Sequence, residues 1–261
     1  MHSGCKYCRI VGASDASILN CIGQLKQWFS SNALKLNENK TQVIKFEKQA
    51  ITTDHMCSAK FLGITIDKNL NFSKHTDQLA KKLSLACFSI QILSKTVNLE
   101  VLKKVYYALF QSVLIYGLGI WGSTNVANFN RIFFIQKRVL RIIYKKPPTE
   151  PCKELFLNSR IMTLPCLYIS EICKYYDKNR NQFQVENNCH NTRQNFVPVP
   201  QHRTSKFENS MSYMTCKIIN TCLKHKKEMV SSRCFLKIMS QKLIEKAYYC
   251  VNEFFEDPNF F

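Results

Sequence analysis

The chain becomes clearly helical at residues 75–94, which read HTDQLAKKLSLACFSIQILS. Apolar residues recur there at spacings of three and four, which predicts an amphipathic helix with one buried face. The pattern returns over Leu99–Tyr116 and Asn125–Tyr144, with short loops between the segments. Three such helices predict a helical subdomain. The expected buried faces carry Leu79, Leu83, Ala86, Cys87, Ile90 and Leu93, then Leu102, Val105, Tyr106, Leu109 and Val113, then Phe129, Ile132, Phe133, Gln136, Val139, Leu140 and Ile143.

The sequence before residue 72 predicts a helix and a small sheet. Two short extended runs, Leu34–Leu36 and Thr41–Phe46, are separated by turn-forming residues, and Lys60–Asp67 predicts a further strand. An amphipathic helix is expected over residues 15–32. Its apolar face would be made by Ile18, Leu19, Ile22, Leu25, Trp28 and Phe29.

The remaining sequence predicts more helix, interrupted by one polar segment. A helix is expected over Leu164–Asp177, and helical periodicity returns from Ser210 to Phe255. Residues 179–209 are rich in Asn, Gln, Arg, His and Pro, which favours a linker or a long surface loop. Apolar residues make up 46% of the chain, and Gly and Pro number only seven each. The predicted fold class is therefore α+β, with helix dominant.

Positive charge is the strongest feature of the composition. Lys and Arg number 37 against 18 Asp and Glu, and the net charge of +19 is spread along the chain. Such a field attracts polyanions, and each cation that meets a phosphate releases counterions. A nucleic-acid partner is therefore expected; a basic surface without a ligand is the alternative.

Cysteines and apolar stretches indicate the cellular compartment. The 13 cysteines are odd in number and irregularly spaced, and residues 1–11 lack the continuous apolar run of a signal peptide. This predicts a reducing intracellular setting, in the cytoplasm or the nucleus, with cysteines acting as small core residues. The longest apolar stretch, Val105–Ile120, is interrupted by polar residues and glycines, so no membrane partner is expected.

Two small groups of possible metal ligands are present. Cys5 and Cys8 have the spacing of a zinc-binding pair, but no second pair follows at a suitable distance. Cys189, His190 and His202 fall in the polar segment without the order of a zinc knuckle. Free thiols are favoured, and neither a metal nor another cofactor is expected in this chain.

Basic residues gather on the predicted helices. Lys137, Arg138, Arg141 and Lys145 follow one another at offsets of one, four and eight from the first, which predicts one side of a helix. Repulsion among four such charges favours an external anion, whereas the alternative is a solvated helix face. The two preceding helices add Lys81, Lys82, Lys103 and Lys104.

Three segments carry a resemblance to a known family. Residues 28–41 read WFSSNALKLNENKT, residues 60–67 read KFLGITID, and residues 106–142 contain YYALFQS, YG, WG and IQKRVLRI. In this order they resemble the segment after the catalytic hairpin, the primer-grip hairpin and the thumb of non-LTR retrotransposon reverse transcriptases, the jockey-like kind especially. The similarity continues towards Glu253-Phe254 and covers nearly the whole chain.

The resemblance implies an order of domains. Residues 1–72 would form a partial palm with a primer-grip-like hairpin, and residues 73–178 a helical thumb and connector. Residues 179–209 would be a polar linker, and residues 210–261 a basic helical C-terminal region. The eight basic residues would hold the template–primer backbone by its shape and not its sequence.

The resemblance also implies individual roles. Phe61, Leu62 and Gly63 would contact the primer, with Gly63 allowing a close approach. The same segment could instead simply bury one face of a strand. Lys40 would lie near the pyrophosphate of the incoming nucleotide, or be a solvated lysine in a turn.

Catalytic carboxylates are not matched. Polymerases of this family hold two divalent ions with an adjacent Asp pair just upstream of the Trp-Phe helix. Here Asp15 is the only acidic residue before Glu38, and the one adjacent acidic pair, Glu256-Asp257, is expected to be solvated near the C-terminus.

The predicted function is a truncated RNA-directed DNA polymerase that keeps the template–primer grip and lacks the catalytic Asp pair. Its partners would be an RNA template and RNA–DNA or DNA duplex, with no small-molecule substrate bound by these residues alone. Magnesium and deoxynucleoside triphosphates would serve the complete enzyme. A non-catalytic RNA or hybrid-binding module and a decayed, non-functional relic are the alternatives.

Overall fold

The computed structural model divides the chain into two units, residues 1–59 and residues 60–261. The structure describes residues 15–37, 41–42, 44, 46, 58–183, 196–225, 230 and 232–260.

The first unit contains helix α1, Asp15–Ser31. The helix ends where predicted, because the Asn32 side-chain amide donates a hydrogen bond to the carbonyl oxygen of Trp28 at 2.8 Å. Phe29 is buried, whereas Leu19 is 69% exposed and Trp28 is 42% exposed. The predicted apolar face is therefore only partly covered by the described residues.

The extended runs predicted after α1 are not strands where the structure describes them. Leu34–Leu36 has an irregular backbone, so that prediction is wrong. Thr41–Phe46 lies partly outside the described residues, and its described positions have no regular structure.

A β-hairpin follows, with strand β1 at Ser58–Phe61 and strand β2 at Ile64–Asp67. Leu62 and Gly63 connect the strands with positive φ angles of 45° and 84°, the conformation of tight two-residue hairpin turns. The single strand predicted from the residue pattern is therefore wrong at its centre. The hairpin implied by the family resemblance is present.

Helices α2 to α6 come next in the chain. They are α2 (Ser73–Leu93), α3 (Leu99–Val105), a π-helical turn (Tyr106–Gln111), α4 (Ser112–Ile115), α5 (Leu118–Trp121) and α6 (Val126–Ile143). The three predicted helical segments are confirmed to within two residues at their outer ends. Asn98 and Asn125 cap α3 and α6 by accepting hydrogen bonds from the backbone amides of Val101 and Asn128.

The π-helical turn between α3 and α4 keeps one row of side chains in the core. A series with four-residue spacing rotates away from a core in a regular α-helix, because 3.6 residues complete a turn. The wider i→i+5 turn restores the alignment. Leu109, predicted to be buried, is 47% exposed for this reason. The buried row consists of Leu102, Tyr106, Phe110 and Leu114.

The rest of the second unit is helical. Its elements are α7 (Lys153–Ser159), α8 (Leu164–Lys178), a 3₁₀ turn (Arg180–Phe183), α9 (Ser205–Glu208), α10 (Met211–His225), α11 (Phe235–Lys246) and α12 (Val251–Glu256). The helix predicted over Leu164–Asp177 is confirmed. The continuous periodicity predicted from Ser210 to Phe255 corresponds, among the described residues of that range, to the three helices α10, α11 and α12.

Helix α8 lies at the centre of the second unit, in contact with α5, α10, α11 and α12. Thr163 caps α8, and its hydroxyl donates a hydrogen bond to the carbonyl oxygen of Tyr248. One buried core extends from Ile64 to Phe260. The predicted linker over residues 179–209 therefore differs from its neighbours in composition, but the helices before and after it share one core. Residues 184–195 of that linker lie outside the described part.

Nine cysteines fall in the described part of the chain, and none of these nine forms a disulfide bond. Six of them are buried, as predicted for cysteines that act as core residues. Burial raises the pKa of Cys87 to about 11, which keeps this thiol protonated and unreactive. Within residues 15–37, 58–183, 196–225 and 232–260, no helix has the length and apolar character needed to cross a bilayer.

Asp257 is not the solvated end charge that the sequence predicted. Lys246 Nζ and the Tyr248 hydroxyl donate to Asp257 Oδ2 at 2.7 Å and 2.6 Å, and the Asn259 amide donates to Oδ1 at 2.8 Å. Burial opposes ionisation, but these three hydrogen bonds outweigh it and lower the pKa of Asp257 to about 2. The carboxylate therefore ties the C-terminal residues to the end of α11.

Replacing this carboxylate should change how stability depends on pH. Asp257 stabilises the fold fully above its unfolded pKa of 3.8, and this contribution is lost as the pH falls towards about 2. We expect Asp257→Asn to lower the free energy of unfolding near neutral pH by about 1.5 kcal/mol, because a charge-assisted hydrogen bond is lost. Urea unfolding between neutral and acidic pH measures both effects. Glu256→Gln, at the neighbouring exposed acid, is the control; an equal effect of the two substitutions would contradict the assignment.

Candidate nucleic-acid interface

The eight predicted basic residues lie on or beside α2, α3 and α6. None of them forms an ion pair with an acidic side chain in the described part of the chain. Some of them contact aromatic rings or backbone carbonyl groups of the protein and so stabilise the fold. The others have no such contact with the described residues and remain available to a ligand. The eight are Lys81, Lys82, Lys103, Lys104, Lys137, Arg138, Arg141 and Lys145.

Three of the four lysines on α2 and α3 are exposed. Lys81 and Lys82 lie on the outer surface of α2, and Lys104 lies in the last turn of α3. Lys103 is half-buried, with its Nζ 6.0 Å from the centre of the Tyr144 ring. These helices therefore present three ammonium groups to solvent.

Lys137 is held by aromatic rings. Its Nζ lies 4.2 Å from the centre of the Phe134 ring, 4.8 Å from that of Phe133 and 5.4 Å from that of Tyr249. Burial lowers the pKa of Lys137, as expected for an ammonium group partly removed from water. The ring faces attract the charge. Lys137 therefore joins α6 to the C-terminal region and is poorly placed to reach a phosphate.

Arg141 also has a contact within the protein. Its Nε donates a 2.9 Å hydrogen bond to the carbonyl oxygen of Glu150, which holds the turn that follows α6. The carboxylate of Glu150 pairs with Lys146 at 3.4 Å. Part of the Arg141 guanidinium is thus used to fix the 145–150 segment.

Arg138 and Lys145 remain available. Arg138 is exposed and lines a shallow depression together with Arg141, Lys146 and Gln91. Lys145 is exposed and adopts a positive φ of 52°, just beyond the end of α6 at Ile143. The prediction that all four basic residues share one side of a helix is therefore wrong for Lys145, because the helix ends before it.

The predicted primer-grip residues form the tip of the β-hairpin. Leu62 is 63% exposed and Phe61 is 37% exposed. The Tyr116 hydroxyl donates a hydrogen bond to the carbonyl oxygen of Leu62, and a Cβ on Gly63 would lie 3.3 Å from Tyr116 Cε1. The group that approaches Gly63 in this structure is therefore an aromatic ring of the same chain.

The hairpin is anchored by the loop that carries Tyr116. Gly117 has a φ of 64°, and a Cβ there would lie 2.5 Å from Ile64 Cδ1 in β2. Fully buried Trp121 donates from Nε1 to the carbonyl oxygen of Tyr116 at 3.0 Å. These contacts fix the orientation of the hairpin tip on the helices.

His75 adds a second link between the hairpin and α2. Its Nδ1 accepts a hydrogen bond from the backbone amide of Thr65 at 3.4 Å, and its ring lies beside Trp121. Burial, with a smaller contribution from Lys82, lowers the pKa of His75. The neutral imidazole is thus the stable form at this junction.

Sequence reasoning missed the anchoring role of Tyr116. The signal in the sequence was the pair Tyr116-Gly117, since a glycine indicates a close approach. Its partner Leu62 is 54 residues away. No periodicity connects the two positions, so the contact appears only in the folded chain.

Most of the other predicted positions cannot be placed in the fold. Lys40 lies outside the described residues, as do Cys5, Cys8, Cys189 and His190. Among the residues that the structure describes, no three His, Cys, Asp or Glu side chains form a group that could hold a metal ion. These residues therefore do not fit the magnesium ions that the family resemblance implies for a complete enzyme.

Two known proteins are similar to part of this chain. Over 138 residues it is 28% identical to the probable RNA-directed DNA polymerase from transposon BS of Drosophila melanogaster, a match that covers 47% of this chain. Over 148 residues it is 24% identical to the RNA-directed DNA polymerase from mobile element jockey of the same organism, covering 52% of this chain. About half of the chain is homologous to jockey-like retrotransposon reverse transcriptases.

The homologous region is a small part of those polymerases. The matches span 15% and 16% of the two relatives' lengths. No protein-family model and no solved structure matches the chain. The resemblance of the sequence to a jockey-like reverse transcriptase is confirmed, whereas the roles of its individual site residues stay predictions.

Adding a methyl group at Gly117 should loosen the hairpin anchor. We expect Gly117→Ala to lower the free energy of unfolding by about 1–3 kcal/mol, because the new Cβ overlaps Ile64 and the positive φ is strained for alanine. Urea unfolding followed by Trp121 fluorescence, in a Trp28→Phe background, reports on the second unit.

Gly23→Ala is the matched control. Gly23 lies inside α1, in the first unit, with nothing within 4 Å of the added Cβ, so alanine there should leave the Trp121 transition of the second unit unchanged. A Gly117→Ala protein as stable as the unsubstituted chain would contradict the anchoring contact.

Proposed function

We propose that this chain is the part of a retrotransposon RNA-directed DNA polymerase that grips the template–primer duplex. The observation that carries the proposal is the homology to two such polymerases over about half of the chain. The whole proteins' activity is not assigned to these residues. Their function is to hold RNA template and RNA–DNA or DNA duplex.

The proposed contact surface consists of the cations without an internal role. Nucleic-acid duplexes are held mainly through their phosphates, and such contacts position the duplex without reading its sequence. Lys103, Lys137 and Arg141 make contacts within the fold and contribute less. The principal contacts are Lys81, Lys82, Lys104, Arg138 and Lys145.

The hairpin tip supplies the proposed primer grip. Leu62 and Phe61 expose apolar surface at the end of a hairpin whose orientation is fixed by Tyr116 and Gly117. A fixed tip can position a primer backbone without rearranging on binding. Gly63 acts indirectly in this proposal, because its missing Cβ admits the Tyr116 ring.

Nucleotide addition is not part of the proposed activity of these residues. Magnesium and deoxynucleoside triphosphates, with a supporting role for Lys40 near the pyrophosphate, belong to the complete enzyme. The adjacent acidic pair Glu256-Asp257 does not replace a catalytic Asp pair, because Asp257 is already bonded to Lys246 and Tyr248.

Removing the two free cations at the end of α6 should weaken duplex binding and its salt dependence together. We expect Arg138→Ala/Lys145→Ala to reduce the slope of log affinity against log salt by roughly 2, since each phosphate contact contributes about 0.9. The loss should be similar for every duplex sequence. Fluorescence anisotropy with a short RNA–DNA hybrid at several salt concentrations measures both quantities.

The control is Arg233→Ala/Lys237→Ala, which removes two exposed charges at the start of α11. This variant should bind the hybrid like the unsubstituted protein. Equal losses in the two double variants would mean that net charge alone attracts the duplex, and the proposed surface would be wrong.

A further inference from the structure

A cavity of about 350 Å³ opens between the start of α6, α8, α10 and α12. Its volume is within the range of small-ligand sites, and its walls are rich in aromatic residues. The five cations proposed as principal duplex contacts are not among the residues that line it. The aromatic residues are Phe129, Tyr168, Tyr213, Tyr249 and Phe255.

Tyr168 lines the cavity with a hydroxyl that no other described residue uses. The residue is only 3% exposed, and its hydroxyl has no hydrogen-bond partner in the described part of the chain. Burial raises the pKa of Tyr168, so the hydroxyl keeps its proton. Water can solvate this hydroxyl, and a ligand acceptor in the cavity would take the place of that water. The hydroxyl of Tyr249, a second residue of the lining, is buried and has no hydrogen-bond partner in the described part of the chain. Such groups are rare in folded proteins.

Polar groups with complementary chemistry surround the cavity. The side-chain amides of Asn130 and Asn252 form no hydrogen bond with any described residue. Lys217 forms no ion pair there either, and its Nζ lies 4.6 Å from the centre of the Phe255 ring. Glu208, by contrast, is engaged with His202 at 2.7 Å. The available groups at this site are therefore two amides, one hydroxyl and one cation.

A shallow groove continues from the cavity along α10. Lys217 lines both, and the groove also contains Thr221 and Lys224, at helical spacing on one face of α10. Phe196 and exposed Val199 form its apolar side. The surface thus presents cations at regular intervals beside apolar groups.

We propose that this cavity and groove bind a single-stranded nucleic acid, with one unstacked base inside the cavity. A base can stack on the aromatic rings of the walls, and an asparagine side-chain amide can form two hydrogen bonds with the edge of a base. Tyr168 donates to a base oxygen or nitrogen, and Lys217 and Lys224 contact the phosphates that follow. The inference rests on the proposed function only in taking nucleic acid as the partner. It concerns a different surface, and a single strand in place of a duplex.

The test uses the full chain and a short single-stranded DNA of mixed sequence, with binding followed by fluorescence anisotropy. Tyr168→Phe removes only the hydroxyl, so we expect affinity to fall by about three- to tenfold, the loss of one hydrogen bond. The urea midpoint without DNA should stay the same, because the hydroxyl has no partner in the protein. A structural role would lower that midpoint.

A strand of the same length built from abasic sugar–phosphate units separates base from backbone contacts. On this strand the Tyr168→Phe effect should disappear, whereas Lys217→Ala should still weaken binding. Lys237→Ala, at an exposed position of α11 outside the cavity, is the charge-matched control and should bind both strands normally.

Three results would overturn the inference: no binding of single strands, binding insensitive to both Tyr168→Phe and Lys217→Ala, or a Tyr168→Phe loss that persists on the abasic strand. The duplex proposal is judged separately. Arg138→Ala/Lys145→Ala should impair hybrid duplex binding and spare the Tyr168-dependent part of single-strand binding, so either proposal can fail while the other stands.

Discussion

Burial of the first half of α8 is the constraint on which the second unit depends, because every residue from Leu164 to Ser170 is buried. A helical segment that is buried around its whole circumference is stable only when other helices cover it. Four helices do so here, from α5 near the hairpin anchor to α12 near the C-terminus. Gly122 permits the closest of these approaches, because a Cβ there would lie 2.5 Å from the Tyr168 ring. The C-terminal helices are therefore part of the same core as α2 and α6, in agreement with the hydrogen bond from Thr163 to Tyr248.

This arrangement separates two kinds of surface. In the first, α2 and α6 leave cations without internal partners, and the hairpin is held in one orientation. In the second, the start of α6 and the helices around α8 leave an aromatic cavity with unused polar groups. A basic field attracts nucleic acid to both, but the chemistry of their walls differs. In the two proposals, phosphate contacts dominate the first surface, and stacking and base-edge contacts dominate the second.

The helices of the second unit could be predicted because their core positions follow the helical period and their caps are local. Asn98 and Asn125 each act within three residues of their own position. Features that depend on distant partners could not be predicted in this way. The hairpin turn requires a leucine at positive φ, which a residue pattern argues against.

The candidate site was predictable only in outline. Counting charges on α6 located the basic residues, but it could not reveal that Tyr249 and its neighbours hold Lys137, or that Glu150 occupies Arg141. Those partners lie outside α6 in the sequence, and no pattern of charge or helical spacing connects them with the basic residues of α6. The same is true of Asp257, whose role depends on Lys246 and Tyr248. The cavity has no sequence signature, because four separate helices contribute its walls.

The π-helical turn at Tyr106–Gln111 has a consequence for how copies of this sequence can diverge. Removing one residue from it would leave a regular helix and rotate the following chain by about 100°. Tyr116 and Gly117 would then turn away from the hairpin that they anchor. The length of this six-residue segment is therefore constrained in addition to the identity of its buried residues, Tyr106 and Phe110. A one-residue gap in this segment would distinguish divergent copies that have lost the anchor from those that have only exchanged side chains.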